Sequence, residues 1–192
     1  TAFCEAMTEF PFHLSVLYTA PQNYAPAAPF YAYKTGYSAS MIGFPYDDLN
    51  TWRAIYKEED FLNQFRKLVE KWEAGLAILE NCKAEKNEKF QELLCVSKGA
   101  YYHYRSTANH ISFVMERNRL LGTNDNQENI NTTKESILAI LEDEKEVVLN
   151  LIELRLNDSR IGFEASNHYF YTLADLKEKL LNLKFLSTIY AH

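Results

Sequence analysis

From residue 57 onward, apolar residues recur at steps of three and four. Phe61, Phe65, Leu68, Trp72, Leu76 and Leu79 trace one stripe, the signature of an amphipathic helix. Glu58, Glu59 and Asp60 stand where a helix N-terminus favours negative charge. A second stripe runs through Phe90, Leu94, Tyr101, Tyr104, Ala108, Ile111 and Met115 and predicts a helix from about Asn87 to Leu121. Gly122 reads as its C-terminal cap, before the turn-rich Thr123-Asn124-Asp125-Asn126. A third helix is expected over roughly Glu128 to Leu156, with Ile137, Leu141, Val148, Leu151 and Ile152 inward. A fourth runs from Leu173 to about Tyr190, with Leu176, Leu180, Leu183 and Ile189 on one face. Thr172, three residues before Asp175, gives it a capping-box start. Four such helices bury their stripes most simply against one another.

The first 56 residues follow no such period. All five prolines fall before residue 50, among eleven Phe and Tyr side chains and only five charged residues. Prolines at that density forbid a long helix. His13 to Thr19 reads as a strand, from its β-favouring residues, and Ser40 to Phe44 as a second short one. The expected fold is therefore mainly α: an up-down bundle of about four long helices over 57–192, with a partly extended, proline- and aromatic-rich segment over 1–56.

Composition narrows the function without naming it. Hydrophobic residues make up 47% of the 192, ample for one packed core. A net charge of −6 argues against a nucleic-acid partner or an anionic membrane surface. No apolar run approaches the roughly 18 residues of a membrane span. Cys4, Cys82 and Cys95 are odd in number and lack a C-x-x-C pair, so neither a disulfide framework nor a metal site is signalled. No phosphate loop, dinucleotide fingerprint or nucleophile elbow is present, and no cofactor is implied.

Candidate chemistry concentrates in three places. The connection Asn157 to Thr172 is about twice the usual helix-helix length of roughly 2–8 residues. It carries Asp158, Arg160, Glu164, Asn167, His168, Tyr169 and Tyr171. Planar hydrogen-bonding groups beside aromatic faces suit a sugar; the same residues also suit an ordered structural loop. The segment Asp47-Asp48-Leu49-Asn50-Thr51-Trp52-Arg53 sets a double acid beside Trp52 and Arg53. It reads either as a polyol site or as an N-cap over a core tryptophan. Asp47 or Asp48 with Glu164 is the one carboxylate pairing suited to glycoside hydrolysis. On the second helix, Arg105 and Asn109 lie one turn apart and share a face, as a site or as a buried polar layer. His103 and His110 are about two turns, roughly 10 Å, apart, too far for one metal without other ligands. Gln22-Asn23-Tyr24, just past the expected strand, is a weaker candidate.

Several strings together resemble the C-terminal region of large bacterial glycoside-hydrolase-like proteins. They are Leu17-Tyr18-Thr19-Ala20-Pro21-Gln22-Asn23, Lys34-Thr35-Gly36-Tyr37, Gly43-Phe44-Pro45-Tyr46-Asp47-Asp48, Phe61-x-x-Gln64-Phe65 and Asp158 to Tyr171. The resemblance covers most of the chain and implies a polysaccharide-processing, secreted or periplasmic parent. It transfers no catalytic residue. A catalytic barrel is then expected upstream, as the chain opens on Thr1 without an initiator Met. The expected role is a helical C-terminal domain lending loop residues to a glycan site, with a non-catalytic structural or interaction module as the alternative. The expected partners are a glycan and the upstream domain.

Overall fold

The computed structural model describes residues 2–37, 45–82, 87–122, 127–164 and 168–191, apart from the side chains of Glu164, His168 and Tyr169. Four long helices form as their stripes require: α3 (Glu58–Glu80), α4 (Glu88–Gly122), α5 (Gln127–Asn157) and α6 (Leu173–Tyr190), after the short α1 (Ala2–Met7) and α2 (Leu14–Thr19). The Asn87 carboxamide oxygen caps α4 by accepting the Phe90 N–H at 3.1 Å. Thr172 and Asp175 close a full capping box on α6. Consecutive long helices pack on one another, α3 on α4, α4 on α5 and α5 on α6, as a helical bundle. No helix among the described residues is long and apolar enough to cross a membrane.

The expected strand at His13 to Thr19 is a helix instead. The His13 ring accepts the Ser15 N–H at 3.1 Å and caps α2. β-favouring residues lose here because no strand among the described residues pairs with this segment, whereas one helical turn satisfies its own backbone. Val16 is fully buried while Leu14, Leu17 and Tyr18 face outward, a helical rather than an alternating split. The expected strand at Ser40 to Phe44 lies outside the described residues.

The irregular segment acts as a wedge between α4 and α6. Phe30 stacks on Phe113 of α4 at 4.5 Å, and the Lys179 ammonium of α6 sits 3.5 Å over the same ring. Trp52, Leu49 and Tyr46 join the common hydrophobic core. Chain without regular structure still has to satisfy buried backbone groups. Side chains from the bundle do this. Asn182 donates to the Phe30 carbonyl at 2.9 Å and accepts the Phe30 N–H at 2.8 Å. Lys179 donates to the Ala28 carbonyl. Arg117 donates to the Tyr31 carbonyl at 3.0 Å and to that of Asp47 at 2.6 Å.

Candidate functional site

The connection after α5 is a pinned structure rather than an open loop. Phe163–Glu164 (β1) and His168–Tyr169 (β2) pair antiparallel, Phe163 opposite Tyr169 and Glu164 opposite His168. Gly162 enters the hairpin at φ +83°, a conformation other residues resist, and a Cβ there would sit 2.8 Å from the Tyr171 ring. Its carbonyl accepts the Phe170 N–H at 2.7 Å. Below the hairpin, the Arg155 guanidinium donates to the Ser159 carbonyl at 3.2 Å and to that of Ile161. Tyr171 is buried, and its hydroxyl meets His103 Nε2 at 2.6 Å. Asn167 lies outside the described residues, as do the side chains of Glu164, His168 and Tyr169. The expected pairing of Glu164 with Asp47 or Asp48 lies outside them too.

Among the described residues, the charged group that the connection presents most openly to solvent is Arg160, beside the exposed rings of Phe163 and Phe170. Its guanidinium binds both oxygens of Asp158 at 2.7 to 3.2 Å and reaches Glu92 of α4 at 3.0 Å. The arginine hydrogen bond holds the Asp158 carboxyl down to about 2. Arg160 stays 64% exposed, so the pair is worth little to folding, and one further N–H on each terminal nitrogen is left over from the bonds to Asp158 and Glu92. Beside it lies a cleft of about 620 Å³ walled by Glu88, Gln91, Lys98, Asn157 and Asp158. The Cys95 thiol also lines it, pushed up by burial and by the neighbouring Asp158.

The other candidates serve the fold. Asp47 is 1% exposed, and its carboxylate accepts the Thr35 N–H. Asp48 caps the turn Leu49–Thr51 by accepting the Asn50 N–H at 3.1 Å and pairs with Lys34 at 3.2 Å. Trp52 is wholly buried against Tyr46, Phe61 and His110. Arg53 braces its own turn through Asn50 at 2.7 Å and the Tyr56 carbonyl. Arg105 and Asn109 do share a face, but their partners are on α5: both bind Asp143, and Asn109 also reaches Glu144 at 3.0 Å. These segments do not converge on one cleft. The connection meets α4 at Glu92 and at His103, the Asp47 segment meets it at Arg117, and Arg105 and Asn109 face α5. Glu92 and Arg117 are about 38 Å apart along its axis at helical rise.

Sequence patterning does not reveal the partner of a buried ion pair in the bundle. Glu144 and Lys179 are both fully enclosed, 3.3 Å apart. Ser106 donates to the same carboxylate at 2.6 Å. Burial brings the Lys179 ammonium down to about 8, although Glu144 resists the shift. The one available signal was Lys179 itself, three residues after Leu176 and four before Leu183 on the buried stripe.

His103 and His110 share a different consequence. Burial lowers His103 to about 4, against the pull of the Gln22 carbonyl. Burial, helped by the charges of Lys179 and Arg117, lowers His110 well below 6.5. Between about pH 4 and 6.5 the unfolded chain therefore binds more protons, so stability rises with pH across that window and is lost on acidification. Urea midpoints at both ends of the window should show the slope, and His110→Phe should flatten it while keeping the cage of Phe30, Tyr46 and Trp52 filled. An unchanged slope would assign the acid sensitivity elsewhere.

No protein-family model, no curated protein and no solved structure matches this chain.

Proposed function

We propose that this chain is a non-catalytic helical domain of a carbohydrate-active protein, and that the cleft between α4, α5 and Arg160 is its glycan contact. The observation that carries the reading is the exposed Arg160 guanidinium, held flat by Asp158 and Glu92 at the mouth of a polar cleft. Sugar hydroxyls are bound by fixed planar donors and acceptors. Here a guanidinium, two amides (Gln91, Asn157) and carboxylates meet on one surface. Preorganisation by Asp158 lowers the ordering cost of binding. The lack of catalysis is supported by the use of Asp47, Arg105 and Asn109 inside the fold.

Isothermal titration of the chain against a panel of soluble polysaccharides should find a binder. Arg160→Ala should weaken that binder by about tenfold or more, as loss of a charged hydrogen-bond donor does, with the melting temperature unchanged. No glycan bound by the wild-type chain would overturn the reading. So would hydrolysis of a glycan by the chain alone. The alternative, a purely structural or interaction module, is favoured by the wedge contacts. It expects intact stability and no glycan in the same experiment.

A further inference from the structure

We propose that the face formed by Met7, Phe12, Leu14, Leu17 and Tyr18 is a dimer interface that takes a second copy of this chain. The inference is independent of the glycan reading. Phe12 is 73% exposed, Leu14 65%, Tyr18 55%, Met7 41% and Leu17 37%. Leu14, Leu17 and Tyr18 share one face of α2 by helical spacing, and Met7, Phe12 and Leu17 line one groove. Their exposed apolar surface is on the order of 500 Å², near the upper end for a monomer's largest patch. It forms the greater part of the roughly 800 Å² per partner that a standard interface buries.

Two features select a second copy over another occupant. The face contains both parts of a self-complementary contact. Leu14 and Tyr18 project from it, and beside them lies a groove of about 370 Å³ lined by Phe10, Phe12, Leu17 and Tyr104, with Gln22 and His103 as its polar part. A two-fold axis through such a face lets each copy's knob enter the other's groove. The second feature is charge. Each chain carries −6, which drives two copies apart over most approaches. Residues 10 to 33 contain no Asp, Glu, Lys or Arg, so Phe12, Leu14, Leu17 and Tyr18 meet a second copy with little of that repulsion, and Glu5 and Glu9 flank the face only at its Met7 edge. Depletion of charge with enrichment of aromatics is also the composition of an interface core.

Sedimentation velocity on the whole chain across a dilution series should show a monomer–dimer equilibrium. Phe12→Asp places a charge at the centre of the contact and should weaken dimerisation about 30-fold or more, as loss of a hot-spot side chain does. The side chain is exposed, so the far-ultraviolet spectrum and melting of the diluted monomer should be kept. Phe185→Asp, on the exposed side of α6, should leave the dimer intact. A monomeric wild type at every concentration overturns the proposal. So does a dimer that survives Phe12→Asp or is lost with Phe185→Asp. A monomer whose glycan binding falls with Phe12→Asp would reassign the face to a ligand.

Discussion

Replacing Glu144 with alanine is expected to destabilise the fold by about 3–5 kcal/mol, because it leaves the Lys179 ammonium buried without its counter-charge. In a chain of this length that lowers the melting temperature by about 10 °C or more. Ser106 and Asn109 also lose an acceptor, though Asn109 keeps Asp143 at 2.6 Å. The double change Glu144→Leu with Lys179→Met should recover most of the loss, to within about 2 kcal/mol of wild type, since apolar residues of similar volume often replace a buried pair at little cost. Denaturant unfolding of the single and double variants measures the difference. Equal destabilisation would mean that shape, not charge, holds α5 to α6. A pH signature separates the two further. Lys179 is lowered to about 8 from 10.5, so between those values the unfolded chain binds the extra proton and stability rises with pH. The rise is opposed from about pH 9, where the Cys95 thiol ionises in the unfolded chain, and ends near pH 10, where tyrosines follow. Tyr46, Tyr104 and Tyr171, raised by burial in the folded state, then pull stability down. Lys179→Met should abolish the rise between about pH 8 and 10 and leave the later fall.

The helices were legible because periodicity is a local signal. Phe61, Phe65 and Leu68 of α3 and Ile137, Leu141 and Leu151 of α5 are buried as their spacing requires. The buried stripe of α6 differs in part from the one its leucine spacing predicts. Ile189 is 38% exposed, while Leu186 and Tyr190 turn inward with Leu176, Lys179 and Leu183. A lysine on a buried stripe breaks an apolar pattern, and only tertiary partners explain it. Here those partners are Glu144 and the carbonyl of Ala28, 35 and 151 positions away. The candidate site was legible only at Arg160 and Asp158, because those two residues organise each other locally. Asp47 and Trp52 looked like site residues because acids and aromatics are used both in sites and in caps and cores. Only burial distinguishes the two uses, and burial is set by distant chain. The hairpin inside the connection was not expected either. Its strands are two residues each, too short for alternation to show, and Gly162 is the one local cue.

The same distant dependence makes Arg117 the residue on which the wedge turns, and Arg117→Met is expected to cost about 3 kcal/mol although it keeps the stem that fills the core. The guanidinium is completely buried and donates to two carbonyls of the irregular segment, Tyr31 and Asp47, and to the Asn118 side chain at 2.8 Å. Methionine removes every one of these donors and leaves the buried Asp47 carboxylate without the nearby positive charge. Each backbone carbonyl left unpaired loses its share of the stabilisation, since no strand or helix neighbour stands ready to replace the arginine. The damage should be local before it is global. Lys179 and Asn182 still hold Ala28 and Phe30 from the α6 side, so the wedge should loosen from its α4 side first. Amide hydrogen exchange should therefore accelerate in 31–37 and 45–56 at denaturant levels where α4 and α5 remain protected. The melting temperature should fall by several degrees. Arg117→Lys should behave almost as badly, because one ammonium cannot span two carbonyls on separate stretches of chain. Uniform acceleration across the bundle, or none at all, would show that the wedge is held by the packing of Phe30, Tyr46 and Trp52 alone.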